Sequence, residues 1–242
     1  LSLYGSEVDI TCSDANLGNA LNFNDLNSNR IAVAHSINLG ITDNITLEAW
    51  IKPNPAEDTE SQVLISKLSN SATSGFEIST GDGWNTIDFT ISNGGISNTL
   101  SASGFSTDPP IINLEDGLWH HVAASYSTST KTMAFYIDGT LFKSDDDVTD
   151  GLGSNTDQLT IGAEHDGAGD DDADYSKFFD GSIDEFRIWD DIRTIEEIGY
   201  TIDMPLANEE PNLTHYWAFD QGLPSGRNKN MRNLTYTNAG TE

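Results

Sequence analysis

Gly117-Leu-Trp-His-His-Val-Ala-Ala-Ser-Tyr126 and, shortly after it, Met133-Ala-Phe-Tyr-Ile-Asp-Gly-Thr-Leu-Phe142 set the architecture of this chain. The first run leaves an Asp116-Gly117 turn and is apolar, small and aromatic from Val122 to Tyr126, as a strand buried in a two-sheet protein would be. The second is a hairpin. Phe135 and Ile137 alternate with Ala134 and Tyr136, and Asp138-Gly139 supplies the two residues that a tight type I′ turn requires.

Outward from this centre, short strand-like segments recur. Ala20–Phe23 and Arg30–Val33 flank the turn-rich Asn24-Asp-Leu-Asn-Ser-Asn29. Ile45–Lys52 alternates strictly, with Ile45, Leu47, Ala49 and Ile51 on one face and Thr46, Glu48, Trp50 and Lys52 on the other. Further strands are expected at 62–68, 75–80, 85–92, 118–127, 131–138, 140–143, 158–163, 182–189 and 213–219. Asp-Gly or Asn-Gly pairs at Asp82, Asn93, Asp116, Asp138, Asp150, Asp166 and Asp180 punctuate them. Many short strands with such turns predict an all-β, antiparallel two-sheet β-sandwich. One short helix is expected near the C-terminal end, where Thr194-Ile-Glu-Glu197 fits a capping box. The expected organisation is an edge segment or linker over 1–18, a sandwich over 19–222 and a Gly/Asn-rich tail over 223–242.

The chain has 242 residues, enough for one sandwich with a sizeable core. It carries 39 acidic against 11 basic residues, a formal net charge of −28. That balance repels nucleic acid and anionic membranes. It leaves generic solvation, or the binding of hard cations that prefer oxygen ligands, above all Ca²⁺. Cys12 is the only cysteine, so no internal disulfide forms. No apolar stretch approaches the ~20 residues that span a bilayer, and any signal peptide is expected to have been removed or to lie upstream.

Five blocks, in order and spacing, resemble the laminin-G-like jelly roll of the concanavalin A-like lectin and glucanase superfamily. They are Ala20–Phe23, Ile45-Thr-Leu-Glu-Ala-Trp-Ile51, Gly117–Ala123, Tyr136-Ile-Asp-Gly139, and Phe179–Trp189 followed by the helix at Thr194–Ile198. The resemblance covers roughly residues 19–200. Tyr216-Trp-Ala-Phe-Asp-Gln-Gly222 is similar to the strand that commonly opens such a domain; it either fills that slot as a permuted edge or begins a neighbouring module. The resemblance implies a secreted or surface-displayed module, part of a larger multidomain protein, that binds a glycan or another cell-surface ligand and catalyses nothing.

From Asp145 to Asp184 the chain holds twelve aspartates and a single Lys or Arg, Lys177. Asp170, Asp172 and Asp174 alternate, so an extended loop points their carboxylates one way. They lie beside the Gly-rich turn Asp166-Gly-Ala-Gly169. A calcium site there competes with a merely solvated acidic loop. The resemblance adds Asp184 together with the Asn24–Asp25 turn as metal ligands; the alternative is that Asp184 only caps a strand. Aromatic rings stack on sugar faces, which makes Trp84 and Tyr175 the candidate ligand-binding residues. His120 and His121, adjacent on a strand, point to opposite faces and chelate no common metal. Asp184 and Glu185 are likewise expected on opposite faces, and the Glu-x-Asp-x-x-Glu pattern of the superfamily's retaining hydrolases is missing. The expectation is a calcium-dependent lectin or adhesion module, with a protein-binding spacer of an adhesin as the alternative.

Overall fold

The computed structural model describes residues 2–4, 9–11, 18–54, 60–69, 71–81, 84, 86–103, 113–114, 116–166, 174–206, 210–220 and 235–236; for 2–4, 9–11 and 235–236 only the backbone pairing is considered. Short strands β1 (Ser2–Tyr4) and β2 (Asp9–Thr11) precede β3 (Ala20–Phe23) and β4 (Arg30–Val33). The long β5 (Ile45–Pro53) leads to a meander of β6 (Val63–Ser66), β7 (Gly75–Gly81), β8 (Thr86–Asn93) and β9 (Ile96–Ser103). A second meander follows, with β10 (His120–Ser127), β11 (Thr132–Ile137) and β12 (Thr140–Asp145). Next come β13 (Leu159–Ile161), a small ladder of β14 (Glu164–His165) with β15 (Tyr175–Ser176), and β16 (Gly181–Trp189). Helix α1 (Ile195–Thr201), β17 (Leu213–Trp217) and β18 (Thr235–Tyr236) complete the described elements.

The strands form two sheets. The first runs β18-β1-β4-β13-β6-β7-β8-β9; the second runs β12-β11-β10-β5-β16-β3-β2, with β17 also against β16. Every ladder is antiparallel except β1 with β18. The fold is the expected jelly-roll sandwich.

Register explains the core. In the first sheet Ile31, Ile161, Ile65, Ile78, Phe89 and Leu100 are successive cross-strand partners, one apolar row crossing six strands. In the second sheet Ile45, Leu47 and Ala49 pair with Tyr126, Ala124 and Val122. All of these side chains are buried, and complete burial of each large one contributes about 1.5–3 kcal/mol.

The other face of β5 departs from a simple polar exterior. Thr46 and Glu48 are buried, because α1 and the segment after it roof that half of the sheet. Three donors on the sheet hold the roof. Arg187 donates from Nη1 to the Thr201 carbonyl (3.1 Å) and from Nη2 to that of Met204 (2.9 Å), and Trp50 Nε1 donates to the Ile202 carbonyl (2.9 Å). Carbonyls at a helix C-terminus lack intrahelical donors, so these bonds satisfy groups that burial would otherwise orphan. At the other end the capping box forms as expected. The Glu197 amide donates to Thr194 Oγ1, and the Thr194 amide donates to Glu197 Oε2.

One irregularity positions everything that follows. Between Asp184 and Arg187, β16 carries a bulge opposite β5, with Glu185 at φ +50°. Here the lateral neighbour of β16 changes, from β3 (Ile183 opposite Leu21) to β17 (Phe186 opposite Trp217). Asp220 Oδ1 accepts the Asn19 amide at 3.0 Å and closes the joint. β17 thereby belongs to this sheet. The extra residue also corrects the expectation for Asp184 and Glu185. Asp184 pairs with Trp50, and the Glu185 carboxylate reaches Arg187, so both face the outer side of the sheet.

Candidate functional site

At the end of the sandwich where β3 and β5 stop and β16 begins, a cleft of about 310 Å³ opens between the strand ends. Its lining includes Asn22, Asn24, Lys52, Asn54, Asp180 and Ser182. The register puts them together. Asn22 pairs with Ser182 and Ser182 with Lys52, forming one polar row on the outer face. Gly181 is needed to hold β16 this close: a Cβ on it would lie 2.5 Å from the Lys52 carbonyl oxygen, and its φ is +142°.

The hydrogen bonds already present orient the cleft and leave part of its capacity unused. Ser182 Oγ donates to Asn22 Oδ1 (3.2 Å), and Asn54 Nδ2 donates to Asp180 Oδ2 (2.9 Å). Asn24 caps the turn at 25–27 by accepting the Asn27 amide on its Oδ1. The Asn22 and Asn24 NH₂ groups and the half-buried Lys52 ammonium carry no bond to the described residues. The cleft therefore offers amide and ammonium donors beside carboxylate, amide and hydroxyl acceptors. Vicinal hydroxyls, each able to donate and accept at once, match that inventory.

One wall is clamped. Gly117 lines the cleft, and its neighbour Asp116 accepts from His120 Nε2 at 3.2 Å while Asp138 accepts from His120 Nδ1 at 2.9 Å. Asp138, then Asp116, raise the His120 pKa above its usual value against the opposing effect of burial. His121 points the other way, as expected, with Nε2 3.3 Å from Glu48 Oε2. Leu26 and Leu118, both largely exposed, stand on the turns beside the cleft.

Below the cleft, on the roofed half of the same face, lies a buried ionic cluster. Arg187 Nη2 donates to Glu185 Oε2 (2.9 Å), Tyr216 donates its hydroxyl to the same oxygen (2.6 Å), and Arg187 Nη1 is 3.7 Å from Glu48 Oε2. Burial alone would raise the Glu48 pKa, but His121, Arg187 and Arg193 bring it below the usual value. Asp184 makes no ion pair with the described residues. Its carboxylate accepts the Glu185 amide (2.8 Å), while burial, then the charges of Glu185 and Asp220, push its pKa up to about 8.

The residues expected from the sequence fare unequally. Asn24 lines the cleft, with Asp25 next to it; the Asp25 carboxylate accepts the Leu26 amide. Asp184 does not join them. Ile183 faces Leu21 and Gly181 faces Phe23, so Asp184 lies level with Ala20, about 13 Å along the strand from Asn24 at ~3.3 Å per residue. The carboxylate at the level of Asn24 is Asp180, which sequence reasoning treated only as a turn residue. Trp84 is a core residue, 3% exposed, edge-on to Phe179 at 6.0 Å. Tyr175 is 5% exposed, its ring covered by the Arg30 guanidinium at 3.8 Å and near His165 at 4.9 Å. Neither ring is free to stack on a ligand, because both pack inward where a loop position was expected to leave them outside. Asp166 accepts a bond from Ser176 Oγ, and its amide donates to the Asp174 carbonyl. Asp170 and Asp172 lie outside the described residues. Among the described residues no three His, Cys, Asp or Glu side chains gather to hold a metal ion, and the register keeps Asp184 four residues along the strand from the Asn24–Asp25 turn.

Lys52 was legible as a polar-face residue of its strand. Its meeting with Asn22, Asn54, Asp180 and Ser182 depends on register, which the local sequence does not display. No helix among the described residues is long and apolar enough to cross a membrane.

Comparison with known proteins agrees with the geometry. A family model described as the concanavalin A-like lectin/glucanases superfamily matches residues 25–199. No curated protein matches the chain. Solved structures share the fold at low identity. A candidate carbohydrate-binding protein of Bacteroides ovatus aligns with TM-score 0.60 at 18% identity, over 84% of this chain and 52% of that one. The binding domain of Paraclostridial mosquitocidal protein 1 aligns with TM-score 0.63 at 17% identity, over 81% and 45%. The binding domain of botulinum neurotoxin DC, solved in complex with SialylT, aligns with TM-score 0.59 at 15% identity, over 82% and 45%. This chain thus spans about half the length of each.

Proposed function

The chain belongs to the concanavalin A-like lectin/glucanase superfamily, and from that premise we propose that it is a non-catalytic carbohydrate-binding module. The observation that carries this reading is the cleft itself, where Asn22, Asn24, Lys52, Asn54, Asp180 and Ser182 present donors and acceptors to a sugar-sized space. A sugar placed there donates hydroxyl protons to Asp180 and Asn54 and accepts from Lys52 and the free amide groups of Asn22 and Asn24. Carbohydrate and receptor binding among the structural neighbours supports the reading. So does the state of the buried carboxylates: Glu48 and Glu185 are committed to Arg187 under the α1 roof, away from any substrate. The module acts outside the cell or on its surface, within a larger protein, on a glycan-bearing partner.

The calcium expectation rests now on the acidic loop, between Asp166 and Asp174, rather than on Asp184. Calcium modules outside cells bind with Kd of about 10⁻⁴–10⁻³ M, so millimolar calcium raises the melting temperature if the loop holds the ion. An unchanged midpoint with calcium and with chelator removes calcium from the reading and leaves the cleft intact.

A glycan array probed with the wild type and with Lys52→Ala tests the function. Binding to a defined set of glycans that falls at least tenfold in Lys52→Ala supports the cleft. A wild type that binds no glycan on the array overturns it.

A further inference from the structure

We propose a second glycan-contact surface on the uncovered part of the second sheet's outer face, with Tyr136 as its stacking platform and a neutral oligosaccharide as its ligand. It rests on the carbohydrate reading above but uses none of the same residues.

Beyond the α1 roof the outer face of β10 and β11 is floored by small side chains. Ser125 pairs with Ala134, and Ser127 with Thr132. Beside them Tyr136, opposite Ala123, rises as the large side chain, and a trough of about 440 Å³ results. Asn44, Asp191 and Ile192 form its far wall. Tyr136 is only half-buried, and its side chain makes no hydrogen bond or ring contact with the described residues. Trp84 and Tyr175, by contrast, are spent on the core and on Arg30. A ring left open above small hydroxylated neighbours suits a pyranose, whose C–H face stacks while its rim hydroxyls reach Ser127, Thr132 and Asn44.

The wall is preorganised. Asp191 accepts the Ile192 amide at 2.8 Å and Asn212 Nδ2 at 2.9 Å, and Asn44 Oδ1 accepts the Thr128 amide at 3.2 Å. Past Asn44 the trough meets a cleft of about 600 Å³ at the far end of the sandwich, with Asn38, Asp43, Asp190 and Glu210 among its lining. Each space alone falls in the usual size range for ligand sites, and Asn44 lines both.

Charge selects the ligand. Among the described residues neither space is lined by Lys or Arg, while Asp43, Asp190, Asp191 and Glu210 do line them, on a chain of net charge −28. Uronates, sialosides and sulfated sugars are repelled, and neutral chains are not.

The test measures retardation in gels containing soluble neutral β-glucan, mannan or xylan, or acidic polygalacturonate, alongside the array. The proteins are the wild type, Lys52→Ala, Tyr136→Ala and Ser127→Arg, which fills the trough from its rim. The expected result is retardation by at least one neutral polymer, weakened tenfold or more in Tyr136→Ala and Ser127→Arg but retained in Lys52→Ala, with no retardation by polygalacturonate. Ser127→Arg decides alone if Tyr136→Ala misfolds. Glycan binding by the wild type that both trough variants keep in full, or that is confined to acidic glycans, overturns the second surface and spares the first. A wild type that binds no glycan in either assay overturns both.

Discussion

The two halves of the second sheet's outer face, divided by the bulge at Glu185, are built from the same kind of sequence and end in opposite states. On one side Asn22, Ser182 and Lys52 form a polar row that lines an open cleft. On the other Glu48, Glu185 and Arg187 form an equally polar group that is almost wholly buried. Alternation along β5 places Lys52 and Glu48 on one face but says nothing about water. Whether a polar residue binds a ligand or a neighbour is settled by α1, a short element far along the chain that roofs one half and leaves the other bare. The lesson is that a polar face becomes a site only where nothing covers it.

The comparison breaks most readily at Arg187. Replacing it by Ala leaves Glu185 buried without its cation, takes from Glu48 one of its three positive neighbours, and unties the carbonyls of Thr201 and Met204. The expected loss is about 3–5 kcal/mol of unfolding free energy, read from urea denaturation. A loss below about 1 kcal/mol would mean that the roofed half draws little stability from its ionic cluster.

Asp184, at the divide, sharpens the contrast through pH. Its pKa is raised from 3.8 in the reference state to about 8 in the fold, first by burial and then by Glu185 and Asp220. Between those values the native state keeps a proton that the unfolded chain has released, so stability falls as pH rises through this window. Asp184→Asn keeps the oxygen that accepts the Glu185 amide and has no proton to lose. It should flatten the decline in melting temperature between pH 5 and pH 8.5. Parallel pH curves for the two proteins would refute the assignment.

The open half should hardly notice its own mutation. Lys52→Ala removes a side chain with no bond to the described residues, so stability should change by no more than about 0.5 kcal/mol. A larger loss in a denaturant melt would mean that Lys52 supports the fold and would weaken its role in the cleft.

Most of the architecture was legible because its strands announce themselves by alternation and by Asp-Gly turns. The capping box at Thr194, the strand Ile45–Lys52 and the opposed His120 and His121 all read directly from local pattern. β9 was not expected. Only Leu100 and Ala102 of its residues are buried, so Ile96–Ser103 carries too few apolar positions to signal a strand and is recruited by its pairing with β8. The site was harder for a related reason. Trp84 follows Gly81-Asp-Gly83 and looks exposed in sequence, yet Phe179, distant along the chain, packs edge-on against it in the core. Asp180 and Asn54 are joined by a bond across two loops, and the register that sets Asp184 level with Ala20 rather than with Asn24 leaves no mark in composition. What escaped was tertiary register, which fixes partners that no window of sequence contains.

The hydrogen bond from the Asn19 amide to Asp220 clasps backbone 201 residues apart in sequence. It lies where β3 and β17 succeed each other along β16, so an early and a late part of the chain share one joint. Closing so long a loop costs more chain entropy than closing a hairpin, and the two meanders are therefore expected to order before this joint does.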